Sequence, residues 1–194
     1  MTGHFERLSA LDAAFLAIED ENSPMHVGAV AIFEAGPLAR PEGGVDIEWI
    51  RARIDSLLVP RYRQRIARTP VSGHPVWIDD ARFNLHYHVR HVSLPAPGDE
   101  RQLKRLAGHV FALPLDRSKP LWELWIVEGL AGGRFAIVTK THHCMIDGVG
   151  SADLMIAAMS ASADAPPPAA AQRARRWRAR PAPTGAELVL GELR

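Results

Sequence analysis

Between Trp122 and Thr141 the sequence holds two apolar runs, roughly Trp122 to Glu128 and Phe135 to Thr141, separated only by Gly129-Leu-Ala-Gly-Gly133. Phe135, Ile137 and Val138 are strong β formers, and so short a glycine-rich connection suits an antiparallel hairpin. The chain must therefore build a sheet. The second strand runs into His142 and His143, which fall where strand gives way to turn, ahead of Asp147, Gly148 and a new helical pattern. One of two successive strand-end side chains has to face inward.

Around this hairpin the pattern is mixed α/β. Ser9 followed by Asp12 marks a helix start, with Leu11, Ala14, Phe15 and Ile18 recurring at helical spacing, and a strand follows from about Met25 to Phe33. Asp46 caps a second helix whose apolar face is Ile47, Ile50, Ile54, Leu57 and Leu58, ending near Pro60. Arg61, Arg63, Arg65 and Arg68 make the next segment basic. Pro75 to Ile78 and Leu85 to Val92 read as strands about an Asp-Asp turn, the second carrying His86, His88 and His91. Asp99 opens a helix with Leu103, Leu106, Ala107 and Val110, after which Pro114 and Pro120 bracket a loop. Leu154, Ile156, Ala157 and Met159 predict a closing helix from Val149 to about Ser160.

Composition narrows the partners. A formal net charge of +1 with Lys and Arg scattered until a late cluster does not suit nucleic acid. A single cysteine, Cys144, excludes an internal disulfide and fits a reducing, cytoplasmic compartment. No apolar run reaches the ~18 residues of a membrane span, so membrane contact is expected to be peripheral. Beyond Asp164 the sequence turns to Ala-Pro-Pro-Pro-Ala-Ala-Ala and then Arg173, Arg175, Arg176, Trp177, Arg178 and Arg180, a linker composition, and Thr184 opens a further helix. The basic cluster reads as solvated linker or as a contact for anionic lipid, with Trp177 leaning toward an interface. The expected organisation is a domain over 1–163, a linker over 164–183 and the start of a further domain over 184–194.

His142 and His143 carry the candidate chemistry. A neutral imidazole near its reference pKa of ~6.5 takes and returns a proton close to physiological pH, which suits a general base. The competing reading is a pair that simply packs against backbone groups. Asp147 can fix the turn by accepting N–H bonds or an arginine, and Gly148 permits a backbone geometry other residues resist. A zinc site drawing on His86, His88 or His91 lacks any familiar ligand spacing, so no metal is expected. Cys144 beside His143 reads as a small buried hydrophobe rather than a nucleophile. Trp122 and Trp125, three apart in a strand, face opposite sides, one in the core and the other a pocket wall.

His-His-Cys-Met-Ile-Asp-Gly at 142–148 resembles the His-His-x-x-x-Asp-Gly signature of coenzyme A-dependent acyltransferases, which include chloramphenicol acetyltransferase and peptide-synthetase condensation domains. With it come Pro120-Leu-Trp-Glu-Leu-Trp-Ile-Val-Glu-Gly-Leu130, Leu8-Ser-Ala-Leu-Asp-Ala-Ala-Phe-Leu16 and Ser23-Pro-Met-His-Val-Gly28. Together these resemble the bacterial wax ester synthase/diacylglycerol acyltransferase family, especially its actinobacterial triacylglycerol synthases, from about Leu8 to Met159. The resemblance implies a chloramphenicol-acetyltransferase-like mixed sheet flanked by helices, the first half of a two-domain enzyme whose channel lies between the domains. Motifs of the second domain are not found, so an uncovered apolar face is expected.

The same resemblance implies direct transfer of a long-chain acyl group from acyl-CoA to diacylglycerol or a fatty alcohol, with acyl-CoA as substrate and no cofactor. His143 matches the general base, with His142 and Asp147 supporting. Gly148, Pro120, Leu121 and Trp122 are candidate substrate-binding or pocket residues. The implied partners are acyl-CoA, the acceptor lipid, a C-terminal domain, and the inner membrane or a lipid droplet as a peripheral surface. Two other readings stand beside it: a non-catalytic fragment that binds lipid or acyl-CoA, and a condensation-type enzyme using a carrier-bound thioester.

Overall fold

The computed structural model describes residues 4–146 and 177–193, so the expected helix from Val149 to Ser160, and Asp147 and Gly148, lie outside the described residues. In chain order the elements are β1 (Glu6–Arg7), α1 (Ala10–Ile18), β2 (His26–Glu34), α2 (Ile47–Leu57), β3 (Gln64–Arg68), β4 (Pro75–Asp79), α3 (Leu85–His88), β5 (Val89–Ser93), α4 (Glu100–Ala112), β6 (Trp122–Leu130), β7 (Arg134–His142) and α5 (Gly185–Glu192). Short 3-10 turns occupy Gly36–Leu38, Pro60–Arg63 and His143–Met145.

The expected hairpin is β6–β7, and it sits inside a four-stranded sheet of order β2-β7-β6-β5. β2, β7 and β6 are antiparallel, while β5 joins β6 in parallel. The sheet is therefore mixed, as the resemblance implied. Gly129, Gly132 and Gly133 take positive φ through the connection, a conformation that side-chain-bearing residues resist. A second, antiparallel sheet has the order β1-β4-β3.

Strand alternation sends side chains of β6 and β7 to two different layers. Leu124, Ile126, Phe135 and Ile137 join a core with Leu16 of α1 and Ile47, Ile50 and Ile54 of α2. Val127, Ala136 and Val138 meet Leu103, Ala107 and Val110 of α4 on the opposite face. Trp122 falls in the first layer and Trp125 packs against the second, as their spacing required. The helix starts follow the expected caps: Ser9, Asp46 and Asp99 each accept a backbone N–H from the third residue on, and Asp99 completes a capping box with Gln102.

One expectation is corrected, and two segments gain detail. Leu85 to Val92 is not one strand, because the Asn84 side chain accepts the His86 N–H at 3.0 Å and starts a helical turn, so extended structure begins only at Val89. The basic segment contains β3, whose Gln64 is buried against Asp79 at 3.1 Å. In α1 the apolar stripe of Leu11 and Ile18 faces out, and the side chain buried in the core is Leu16.

Arg180, within the expected linker, is anchored to the sheet. Its guanidinium meets both Asp79 oxygens at 2.9 and 2.7 Å, and its N–H reaches Asp79 at 2.8 Å. Burial would raise the Asp79 pKa, but these bonds and Gln64 hold it down to about 2. Trp177 meets Phe83 edge-on, and Leu188 of α5 packs against Val76 and Ile78 of β4.

Lys140 is almost wholly buried at the end of α4, donating to the Val110 and Leu113 carbonyls at 2.9 and 2.8 Å. A cation there satisfies carbonyls the helix leaves unpaired and complements its negative end. Glu123 lies 3.9 Å away as its counter-charge. Replacing Lys140 with methionine strands those carbonyls, while Glu123 keeps Arg90 at 3.3 Å and Trp125 Nε1 at 3.1 Å, so denaturant unfolding should show a loss of about 2 kcal/mol. A loss below about 1 kcal/mol would mean that these contacts contribute little.

Candidate active site

β7 delivers His142 to the sheet end, directly opposite His26 of β2 in the antiparallel register. Its backbone N–H donates to the Leu121 carbonyl at 2.9 Å, which ties the histidine strand to the segment leading into β6. The next residue leaves the ladder: the His143 N–H donates to Met25 at 2.8 Å, and residues His143–Met145 form a 3-10 turn. The expected strand-to-turn transition thus falls between the two histidines.

The two rings are treated differently. His142 is wholly buried and caps the turn, its Nδ1 accepting the Cys144 N–H at 3.0 Å. Neutral His142 therefore carries its proton on Nε2, which lies 3.5 Å from Glu19 Oε1. Burial drives the His142 pKa down to about 4; Glu19 opposes this, whereas Arg117, His143 and His26 add to it. His143 is half-buried, its ring stacked on Phe15 of α1 at 4.6 Å between centroids and 19° between planes. Among the described residues, none is hydrogen-bonded to either ring nitrogen of His143.

Glu19 sits just beyond α1 and is held from three sides. Arg117 grips its Oε2 with Nε at 3.0 Å and a terminal nitrogen at 2.6 Å, while the Met25 N–H donates to Oε1 at 3.1 Å. The same Arg117 nitrogen reaches the Leu16 carbonyl at 3.0 Å, closing the end of α1. Burial alone would raise the Glu19 pKa, but Arg117, the Met25 amide and His142 outweigh it and leave the carboxyl below its ordinary value. His26 Nε2 bonds the Phe111 carbonyl at 2.9 Å, and burial lowers its pKa.

Of the residues picked out by sequence, His142, His143 and Leu121 meet here. Pro120, Leu121 and Trp122 have buried side chains, and Trp122 Nε1 donates to the Tyr62 carbonyl at 2.8 Å. The Leu121 carbonyl supports the histidine strand. Burial, with Asp12 and Glu19, pushes the Cys144 thiol up to about 12, which leaves it protonated and unreactive. His88 lies between Phe83 and Trp122, its Nδ1 on the Trp122 carbonyl at 2.8 Å, and His91 pairs with Glu128. Among the described residues no three His, Cys, Asp or Glu side chains are grouped to hold a metal ion.

Glu19, Arg117, His26 and Phe15 received no role from the sequence. His26 and Phe15 lie within quoted motifs, while Glu19 and Arg117 are isolated charges whose link exists only in the fold.

Because the folded pKa of His142 lies below its unfolded value near 6.5, neutral His142 favours the fold above that value. The favour is lost as pH falls from about 6.5 to about 4, where the unfolded chain binds the proton first. His26 and His88 are displaced in the same direction. Thermal midpoints should therefore fall across this window, and His142→Asn should flatten the slope; an unchanged slope would show that His142 is not buried neutral.

A family model described as the wax ester synthase/diacylglycerol acyltransferase catalytic domain matches residues 8–190. A probable diacylglycerol O-acyltransferase of Mycobacterium tuberculosis is 43% identical over 146 residues, covering 74% of this chain and 52% of its own. A putative enzyme of the same name from that organism is 38% identical over 167 residues, covering 84% of this chain and 33% of its own. The chain thus spans a third to a half of the length of these curated relatives. Among solved structures, the wax ester synthase/diacylglycerol acyltransferase of Marinobacter aquaeolei VT8 superposes with a TM-score of 0.64 at 30% identity, covering 78% of this chain and 36% of that one. The starter condensation domain of rhizomide synthetase shares the fold at a TM-score of 0.62 and 13% identity, covering 80% of this chain and 38% of that one. The mixed sheet, the placement of the histidine pair and the match across 8–190 converge on one conclusion: this chain belongs to the wax ester synthase/diacylglycerol acyltransferase family.

Proposed function

We propose that this chain is the histidine-bearing part of an O-acyltransferase that moves a long-chain acyl group from acyl-CoA to diacylglycerol or a fatty alcohol, with His143 as general base. The observation that carries the proposal is the division of labour within the pair. His142 is spent on the fold, its ring buried and one nitrogen engaged, whereas His143 is half-buried and stacked on Phe15 with no described residue bonded to its ring nitrogens. A supported imidazole with a nitrogen to spare is what proton transfer needs.

In the proposed reaction His143 takes the proton of the acceptor hydroxyl as its oxygen attacks the thioester carbon. A tetrahedral oxyanion forms, collapses to the ester, and expels the coenzyme A thiolate, to which His143 returns the proton. No acyl-enzyme is required, and the Cys144 thiol, held at about 12, is not suited to form one. Asp147 and Gly148 are proposed to shape the turn after the histidines.

The relatives are longer than this chain, and we propose that the channel is completed by a second domain of the kind they carry. The surface supports such a partner: Val27, Val30 and Ile32 on the edge strand β2, and Leu11 and Ile18 on α1, are exposed. No helix among the described residues is long and apolar enough to cross a membrane. Access to a water-insoluble acceptor would then come through peripheral contact with the cytoplasmic membrane or a lipid droplet.

Thiol release from long-chain acyl-CoA in the presence of diacylglycerol tests the proposal, using this chain alone and joined to the second domain of a relative. The joined protein should transfer acyl groups, and His143→Ala should cost ~10²–10⁴-fold with binding retained. Undiminished turnover in His143→Ala would remove it as the base, and acyl-CoA binding with no turnover in any form would favour a binding fragment.

A further inference from the structure

We infer that Glu19, clamped by Arg117, is a positioning residue that sets the tautomer of His142 and through it the turn that presents His143. This rests on the reading of His143 as the base.

The argument follows the protons. Nδ1 of His142 is committed as an acceptor, since the Cys144 N–H points at it at 3.0 Å and a backbone amide can only donate. That bond caps the turn at His143–Met145, where the second histidine leaves the sheet. Were the imidazole proton on Nδ1, two N–H groups would face each other, the cap would be lost, and a buried amide would go unpaired. The cap therefore requires the Nε2–H form.

Something must favour that form, and the acceptor facing Nε2 is Glu19 Oε1 at 3.5 Å. At that distance the contact is electrostatic more than a formed hydrogen bond, and Nε2 counts among the buried atoms without a hydrogen-bond partner. An ionised carboxylate draws the proton to the near nitrogen. Arg117 keeps Glu19 ionised and fixes its direction with a two-pronged grip, and the Met25 N–H holds the oxygen that faces His142. Met25 also accepts the His143 N–H at 2.8 Å, so the backbone that orients Glu19 orients His143 as well. The other titratable neighbours, His26 and His143, oppose a positive charge on His142 and so keep it in the neutral state where tautomer matters.

The test is nitrogen-15 NMR of the histidine rings in this chain at neutral pH, without substrate, in the parent, Glu19→Ala, Glu19→Gln and Glu19→Asp. The parent should hold His142 as a single Nε2–H tautomer with a protected Cys144 amide. Glu19→Ala should populate both tautomers and speed exchange of that amide on the order of tenfold. Glu19→Gln, which keeps the size of the side chain but loses its charge, should shift both in the same direction as Glu19→Ala, whereas Glu19→Asp, which keeps the charge, should restore part of both. If Glu19→Ala does not fold, Arg117→Lys should show the same change in smaller degree. In the active two-domain protein Glu19→Ala should lower kcat on the order of 10²-fold with KM for acyl-CoA little changed. A single Nε2–H tautomer persisting in Glu19→Ala or in Arg117→Lys, or full rescue by the uncharged glutamine, overturns the inference. A failure of the acyltransferase reading shows separately, as an inactive parent.

Discussion

The register of β7 between β2 and β6 decides where the two histidines sit. Nine residue pairs align β7 with β2, from Glu34 and Arg134 to His26 and His142. Strand side chains alternate between faces, so a slip of one residue would exchange every position. His142 shares the α4-facing side with Ala136, Val138 and Lys140, and is buried there for the same reason they are. His143 would follow on the opposite face, but the 3-10 turn lifts it out of the ladder beside α1. Which histidine is structural and which is presented is thus a matter of parity fixed by apolar packing some residues away.

Polar groups then refine what packing has placed. Lys140 and His26 reach across from the sheet to satisfy the Val110, Phe111 and Leu113 carbonyls at the end of α4. Arg117 closes the end of α1 and holds Glu19 toward His142. Both arrangements put buried charge or imidazole against helix carbonyls, where leaving a group unpaired is costly. The site is accordingly held by the two helix ends flanking it, and Glu19, Arg117, His26 and His142 are engaged by the scaffold while the His143 ring is not bonded by any described residue.

Much of this was legible in the sequence where the cause is local. The hairpin follows from two β-forming runs about Gly129 to Gly133, and the helix starts follow from Ser9, Asp46 and Asp99. The opposite facing of Trp122 and Trp125 follows from strand geometry, and the burial of Cys144 from its character as a small hydrophobe. What was not legible depends on distant partners. Glu19 and Arg117 lie 98 positions apart and Asp79 and Arg180 lie 101 apart, and no periodicity links either pair. Leu85 to His88 looked extended because its alternation is real, yet the Asn84 cap outweighs so short a pattern. The spacing of Leu11 and Ile18 gives the helix α1 but not which side faces the core, and the described residues leave that stripe exposed.

The division between the two histidines can be read directly by diethyl pyrocarbonate, which acylates accessible neutral imidazoles, followed by peptide mass mapping and assay of the same samples. His143 should be modified early, in step with loss of acyl transfer and slowed by acyl-CoA, while His142, buried with Nδ1 on the Cys144 amide, stays unmodified until the protein unfolds. Modification of His142 first, or full activity after His143 has reacted, would contradict the account.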